Sequence, residues 1–212
     1  MKQINQFITE YIVKKKLDKP IDSEDHYEYF PKTKQELIDN IQELLEKGET
    51  NLNCIDTSKI TDMALLFEVC KEISNIDFDV SKWDVSNVKN MRNMFDECRN
   101  FTGKGLENWD VSNVIYTKYM FNGCENFNCD LSKWDVSKVK NSEFMFSKCE
   151  KFDCDLSNWN VSNITDMSFM FDGCSNFTGK NLEKWKLNEY VNIDYMFSEC
   201  DKMKNKPSWY KE

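Results

Sequence analysis

A tryptophan that returns about every 25 residues constrains the fold of this chain more than any other feature of its sequence. The intervals between successive tryptophans are 26, 25, 25, 26 and 24 residues. A fixed period of this length indicates a repeat architecture, in which each unit buries its apolar side against its neighbours. The tryptophans are Trp83, Trp109, Trp134, Trp159, Trp185 and Trp209.

Three further columns keep the same register and extend the repeats towards the N-terminus. A phenylalanine recurs in every copy, a leucine or methionine precedes it, and a cysteine follows it three residues later. Columns that move together over six copies predict apolar ladders in a shared core. The phenylalanines are Phe67, Phe95, Phe121, Phe146, Phe171 and Phe197, and the cysteines are Cys70, Cys98, Cys124, Cys149, Cys174 and Cys200.

Each repeat is predicted to contain a short strand and a short helix. Between Val88 and Cys98, apolar residues fall at i, i+3, i+6, i+7 and i+10, which forms one stripe of a helix. In the segment 131–137, Trp134 and Val136 alternate with polar residues, which is typical of a strand. We therefore expect an α/β repeat fold, a solenoid whose parallel β-sheet receives one strand from each repeat.

The polar residues beside each tryptophan are predicted to line the open face of that sheet and to contact a partner. Equivalent residues of neighbouring strands would lie about 5 Å apart, and like charges at that distance are expected to raise one another's pKa. Such an acidic column could accept lysine or arginine side chains, or a cation. The predicted contact residues are Asp84, Asp110, Asp135, Asn160, Lys186, Ser112 and Ser137.

The chain ahead of the repeats carries two helical patterns. The segment from Ile4 to Ile12 has one apolar face, and Thr33 with Glu36 forms a capping box at the start of a second helix. The predicted segments are 1–16 (N-terminal amphipathic helix), 17–30 (linker), 31–52 (helical N-terminal cap), 53–206 (about six repeats) and 207–212 (C-terminal cap or tail).

Composition excludes some classes of partner. The formal net charge is −9 over 212 residues, which argues against nucleic acid because phosphate binding needs clustered lysine and arginine. No stretch approaches the roughly 18 apolar residues of a membrane span. The N-terminus shows neither a signal peptide nor a lipobox, so we expect a cytoplasmic protein, with a cell surface or a virion as the alternative.

The repeat unit also resembles a known family. It reads Trp-Asp-Val-Ser-Asn-Val-x-x-Met-x-x-Met-Phe-x-x-Cys-x-x-Phe, and its clearest copies are Trp83–Phe101 and Trp159–Phe177. This motif resembles the BspA-like leucine-rich repeat of bacterial surface proteins and mycoplasma-type lipoproteins, and the resemblance covers about Asn53 to Met203. It implies a right-handed, leucine-rich-repeat-like fold with binding or adhesive roles in a bacterial or bacteriophage protein. It carries over no catalytic residue.

Catalysis has little support in the sequence. The one histidine, His26, lies in the linker, so a serine or cysteine triad lacks its usual base. Asp84 and Asp110 would be spaced like the carboxylates of a retaining glycosidase, but every repeat has that spacing and an open face offers no pocket. We therefore predict no enzymatic activity and no catalytic residues.

Four cysteines leave an alternative open. Cys124, Cys129, Cys149 and Cys154 follow the spacing C-x4-C-x19-C-x4-C, which could hold zinc or pair Cys129 with Cys154 in a disulfide. Duplication of one repeat explains the same spacing, and a buried cysteine behaves as a small hydrophobic residue. No metal site and no cofactor is therefore predicted.

The predicted function is non-enzymatic binding of a protein partner through the exposed strand face. Tyr116 and Tyr119 are expected hot spots because they interrupt the polar pattern, although Tyr119 could instead pack between helices. The alternative is a structural or assembly component, of a bacteriophage or a surface layer, that docks or self-associates through residues 1–16.

Overall fold

The computed structural model describes residues 27–67 and 76–211 of the chain. These ranges contain one α-helix, α1 (Lys34–Glu46), and two short 3-10 helices, Leu106–Asn108 and Leu182–Lys184. No strand occurs in the described ranges, where the repeats meet through isolated parallel bridges. The predicted leucine-rich-repeat-like α/β solenoid, with its parallel sheet and short helices, is therefore wrong. The predictions for residues 1–16, for His26 and for Cys70 lie outside the described residues.

The helix predicted in each repeat does not form, because residues with left-handed φ angles interrupt the segment. In the second repeat, Asn93 has φ of 54° and Glu97 has φ of 61°, in the left-handed region that a right-handed helix excludes. The N–H of Met91 donates to the carbonyl of Tyr116, 2.9 Å away in the next repeat, instead of to a carbonyl four residues back. The apolar stripe is therefore buried by a run of turns.

The predicted strand does not form, because N–H groups in and just after it donate to acceptors only two or three residues back along the chain. The Trp134 N–H donates to the Leu131 carbonyl at 3.0 Å, and the Val139 N–H donates to the Val136 carbonyl at 2.9 Å. The Ser137 N–H is accepted by the side chain of Asp135 at 3.0 Å. These donors are unavailable to a neighbouring strand, so each Trp-x-Val segment forms consecutive turns although its side chains alternate as in a strand.

Backbone hydrogen bonds nevertheless stack each repeat on the next through equivalent turn segments. From the second segment onward, four N–H groups at alternate residues donate to four carbonyls of the following repeat, and three such bonds are described for the first segment. In the fourth segment the donors are Ser142, Phe144, Phe146 and Lys148, at 2.7–3.1 Å. One parallel bridge joins each successive pair, as between Asn141 and Asp166. We call these turns the stacking segments; they are residues 62–67, 90–97, 116–123, 141–148, 166–173 and 192–199.

The core consists of side-chain columns that run through the stack. In the phenylalanine column, the rings of Phe95 and Phe121 lie 5.5 Å apart with an interplanar angle of 2°, and the later pairs repeat that geometry. The core-ladder residues named from the sequence are all buried: Trp83, Trp109, Trp134, Trp159, Trp185, Phe95, Phe121, Phe146, Phe171, Phe197, Cys98, Cys124, Cys149, Cys174 and Cys200.

Helix α1 lies at the N-terminal end of this core. Thr33 accepts the Glu36 N–H at 3.2 Å, as the capping box predicts. The apolar face of α1 shares the core of the first repeats, and Lys34 Nζ lies 3.6 Å from a carboxylate oxygen of Asp62. The helix covers that end of the stack with Leu37, Ile41, Leu44 and Leu45.

Candidate functional site

Most of the predicted polar contact residues are exposed, whereas Ser112 and Ser137 are half-buried, and the Asp and Asn side chains form hydrogen bonds within their own turns. Asp84 accepts both the N–H and the hydroxyl of Ser86, at 3.0 and 2.7 Å. Asp110 accepts the Ser112 N–H at 3.0 Å, in the same arrangement. A side chain that bonds the backbone two residues ahead forms an Asx turn. The same turn is made by Asp135 with Ser137 and by Asn160 with Ser162, whereas Lys186 is exposed.

The expected mutual rise in carboxylate pKa values is also wrong. The pKa of Asp135 is lowered, chiefly by the hydroxyl of Ser137 and next by its N–H, while the nearby Asp110 has only a small opposing effect. The pKa of Asp110 is lowered for the same reason, by Ser112. Hydrogen bonds to the charged form outweigh the repulsion between repeats. The carboxylates of Asp110 and Asp135 therefore already accept hydrogen bonds from the serines of their own turns.

A second exposed column is aromatic, and the stacking places its rings in register. Tyr119 and Phe144 have ring centroids 4.7 Å apart, Phe144 and Phe169 4.5 Å, and Phe169 and Tyr195 5.0 Å. The three interplanar angles are 6°, 3° and 17°. The first three rings are half-buried, and Tyr195 is 63% exposed. We call Tyr119, Phe144, Phe169 and Tyr195 the aromatic ridge.

The ridge residues sit in a backbone conformation that bulky side chains rarely adopt. Their φ angles are 55–57°, a conformation that costs about 1–2 kcal/mol per residue. Asn93 occupies the same column with φ of 54°, and asparagine tolerates this region well. Aromatic pairs contribute about 0.5–1.5 kcal/mol each, so the ring stack offsets part of the strain while it holds an apolar edge at the surface.

Cationic side chains lie beside the first rings. The guanidinium of Arg92 lies 4.1 Å from the ring centroid of Tyr116, and Lys118 Nζ lies 5.3 Å from that of Tyr119. Lys118 also forms an ion pair with Glu143 of the next repeat. Tyrosine and arginine predominate at interface hot spots, and Tyr116 and Tyr119 are the two positions expected from the sequence to be hot spots.

The residues of this column recur at the repeat period in the sequence, but the sequence does not indicate that they lie at the surface. Leu65, Asn93, Tyr119, Phe144, Phe169 and Tyr195 keep the repeat period, but in a helix they would pack between neighbours. The left-handed φ turns their side chains outward, which the spacing alone does not indicate. The signal that could have identified the ridge is the aromatic residue immediately before the buried methionine in four successive repeats.

Sequence reasoning also missed that each tryptophan is a hydrogen-bond donor between repeats. Trp159 Nε1 donates to the carbonyl of Leu131 at 2.8 Å, and Trp134 Nε1 to that of Leu106 at 2.8 Å. All six indoles make this contact with the preceding repeat. A buried indole usually finds such a partner, but the partner lies 27–31 residues away and depends on the stacking.

The cysteine quartet is divided between two environments. Cys124 and Cys149 are fully buried, and their thiols donate to the carbonyls of Phe95 and Phe121 at 3.0 Å. Cys129 lies near Glu107, and burial, followed by that carboxylate, raises its thiol pKa to about 12. The eight cysteines within the described ranges are free thiols, and those ranges contain no group of three or more acidic, histidine or cysteine side chains placed to hold a metal ion.

Comparison with known proteins places the chain in a family of unknown function. The family model described as a Mycoplasma protein of unknown function, DUF285, matches residues 35–124 and 91–210, so the chain belongs to that family. No curated protein matches the chain, and no solved structure does. None of the helices in the described residues has the length and apolarity needed to cross a bilayer.

Proposed function

We propose that this member of the DUF285 family is a non-enzymatic protein-binding module that contacts its partner along the aromatic ridge. The observation that carries the proposal is the ridge itself, four aromatic side chains in register along the surface of four successive repeats. Their residues retain a costly backbone conformation, and such conformations concentrate at functional sites. Interface cores are likewise enriched in aromatic side chains and arginine.

The geometry of the ridge favours a protein over a nucleic acid or a sugar. Bases bind proteins by stacking on the faces of aromatic rings, but both faces of Phe144 and Phe169 are covered by their neighbours at 4.5–5.0 Å. The ridge therefore presents ring edges, which suit aliphatic and aromatic side chains. The net charge of −9 also disfavours polyanions.

The flanking charges would orient the partner. Lys118 and Glu143 are paired beside the ridge, and Arg92 lies over Tyr116 at its N-terminal end. Exposed charges around an apolar contact mainly affect the association rate and the choice of partner. We therefore expect partner binding whose equilibrium depends weakly on salt and whose association rate depends on it more strongly.

We also propose that the repeats are related in sequence to those of BspA-like surface proteins. The shared motif of tryptophan, methionine, phenylalanine and cysteine at fixed spacing supports this relation. A binding or adhesive role follows from it by analogy. Demonstration of a specific protein partner would support the binding role.

A matched pair of variants tests the ridge. The tagged wild-type chain is used to capture proteins from lysate of the source cells at physiological salt, and each captured protein is then titrated in purified form. Phe144→Asn removes one inner ring, and the residue it introduces already occupies this column at position 93. We expect about a tenfold or greater loss of affinity, because hot-spot aromatics typically cost this much.

Phe30→Asn is the control, because Phe30 is 63% exposed and lies outside the ridge. It should leave the affinity unchanged. Near-ultraviolet circular dichroism verifies that both variants keep the native packing. If Phe144→Asn binds the purified partner as tightly as the wild-type chain does, the ridge is not the contact surface.

A further inference from the structure

Positive charge is concentrated beside the first ring of the aromatic ridge, although the chain as a whole carries a net charge of −9. Lys89 and Lys140 are exposed in the repeats on either side of Ile115, and the three residues form one column of the stack. The Ile115 N–H donates to the Lys89 carbonyl at 2.9 Å, and the Lys140 N–H donates to the Ile115 carbonyl at 2.8 Å. Arg92 and Lys118 are equivalent residues of neighbouring repeats. We call Lys89, Arg92, Lys118 and Lys140 the basic patch.

The basic patch is assembled around the ring of Tyr116. The guanidinium of Arg92 lies 4.1 Å from that ring centroid, and the Tyr116 N–H donates to the Lys89 carbonyl at 3.3 Å. A guanidinium held over an aromatic face keeps its N–H groups at its edge, where they can reach a carboxylate. Because the contact with Tyr116 restricts the arginine before binding, less side-chain entropy is lost when a partner arrives.

Three of the four cations have no anionic partner among the described residues. The ion pairs there include Lys118 with Glu143, but none of them contains Lys89, Arg92 or Lys140. All three of these side chains are exposed. Exposed charges of one sign attract the opposite charge on a partner and steer its approach. The basic patch is therefore complementary to carboxylates.

We propose that the partner contacts this surface with a linear segment whose acidic residues bind the basic patch and whose apolar residues follow along the aromatic ridge, an assignment that rests on the proposed function of the ridge. Lys118 connects the two surfaces, since its Nζ lies 5.3 Å from the ring centroid of Tyr119, the first ring of the ridge. The ridge then continues to Tyr195, three repeats further. The carboxylates of the segment are therefore confined to one end.

The charges along the ridge favour an acidic protein segment over a nucleic acid. In the column of Arg92 and Lys118, the later repeats carry Glu143, Ser168 and Asp194 in place of the cations. A nucleic acid that followed the ridge would bring a phosphate at every nucleotide and would meet the carboxylates of Glu143 and Asp194. A segment that is acidic at one end only avoids this repulsion.

Stopped-flow fluorescence with the full chain and labelled synthetic peptides tests the proposal. The acidic peptide contains four glutamates, a Gly-Ser spacer and the sequence Leu-Phe-Gly-Leu-Phe, and two matched peptides carry glutamine or lysine in place of glutamate. In about 50 mM salt we expect the acidic peptide to associate about tenfold faster than the glutamine peptide, because several attractions act together at long range. In about 500 mM salt the two rates should converge, because the charges are screened.

A double variant of the chain locates the charges that act. Arg92→Ser with Lys140→Thr removes two cations of the basic patch, and the introduced residues already occupy these columns at positions 168 and 165. Association of the acidic peptide should slow about fivefold in low salt, because charges at the rim of a contact act mainly on the association rate.

Lys133→Asn with Lys184→Asn is the matched control. It removes the same charge from an exposed column beside the tryptophans, where asparagine already stands at position 158. The association rate of the acidic peptide should stay within about twofold of the wild-type rate. Near-ultraviolet circular dichroism verifies that both double variants keep the native packing.

Three outcomes would overturn the proposal. The first is an equal association rate for the acidic and glutamine peptides in low salt, and the second is faster association of the lysine peptide. The third is tighter binding of a labelled oligothymidylate than of the acidic peptide, because the basic patch would then serve a nucleic acid.

Phe144→Asn separates failure of this inference from failure of the proposed function. It should raise the dissociation rate of the acidic peptide and leave its association rate nearly unchanged, because the ring makes a short-range contact. If only Phe144→Asn weakens binding, the ridge remains the contact surface and the acidic segment is overturned. If only the double variant of Arg92 and Lys140 has an effect, the apolar half of the segment is overturned together with the proposed function.

Discussion

Replacement of Trp159 by phenylalanine tests the hydrogen bonds that link the core of one repeat to the backbone of the next. Trp159 is 4% exposed, and its indole N–H donates to the carbonyl of Leu131, a residue with no exposed surface. Phenylalanine keeps an aromatic ring in the column but cannot donate. The Leu131 carbonyl then keeps the Trp134 N–H as a donor but loses its second hydrogen bond.

The expected cost follows from two contributions. Loss of one buried hydrogen bond to a carbonyl that keeps another donor costs about 0.5–1.5 kcal/mol. The smaller ring gives up roughly 40 Å² of buried apolar surface, which is worth about 1 kcal/mol. We therefore expect the free energy of unfolding to fall by about 1.5–2.5 kcal/mol.

Trp209→Phe is the matched control. Its indole makes the equivalent bond to Leu182 at 3.0 Å, but the ring is only partly buried at the end of the stack. Water can replace the lost hydrogen bond more easily at this end of the stack, so the loss should stay below about 1 kcal/mol. Urea denaturation followed by the fluorescence of the remaining tryptophans measures both variants. Equal losses, or a loss below about 0.5 kcal/mol for Trp159→Phe, would refute the reasoning.

Three further predictions follow from the thiols and the turns. Cys149→Ala should cost about 0.5–1.5 kcal/mol in urea denaturation, because it removes the thiol donor and leaves the Phe121 carbonyl with the Cys124 N–H alone; Cys54→Ala, at a half-buried site, should cost less. Burial raises the thiol pKa of Cys129 to about 12 and that of Cys154 to about 11, so alkylation in the folded chain should be slow at pH 8 and accelerate towards pH 11. Both pKa values exceed the unfolded value of about 9. The two buried thiols therefore contribute their full stability below pH 9, and this contribution is lost as the pH rises towards 12. A free energy of unfolding that stays constant over that range would contradict the raised pKa values. Asp135→Asn should leave stability nearly unchanged, as the native Asn160 suggests, whereas Asp135→Ala should cost about 0.5 kcal/mol.

The lowered pKa of Asp135 has its own pH signature. Its ionised form is stabilised by Ser137 in the folded chain. The contribution of this interaction to the free energy of unfolding is therefore complete above the unfolded pKa. It is lost as the pH falls through the lower folded pKa. Asp135→Asn should therefore reduce the acid sensitivity of the urea midpoint without changing the midpoint at neutral pH.

Much of the core was predictable because apolar periodicity must be buried in any stacked arrangement. Trp134, Phe146 and Cys149 keep the period of about 25 residues, and every one of them is at most 4% exposed. The helix that begins after Thr33 was predictable as well, because its cap and apolar stripe are local features. Neither inference depends on the path that the backbone takes between the ladders.

The backbone path was mispredicted because its partners are remote. Phe144 donates its N–H to Ser168 in the next repeat, 24 residues along the chain, and no local pattern distinguishes this bond from a helical one. Its left-handed φ of 55° is held by that stacking and by rings on both sides. The choice between helix and turn also determines the candidate site, because a helix would have placed Phe144 between repeats, whereas the turn places it at the surface.

The sequence by itself therefore determined the period, the inward columns and helix α1, because these follow from side-chain polarity and local capping. Only the tertiary structure decided that the repeats join through turns, that the Asp side chains accept hydrogen bonds from serines of their own turns, and that an aromatic column lies at the surface, half-buried except at Tyr195. Each of these depends on where a backbone N–H finds its acceptor, and here that acceptor usually lies one full repeat away.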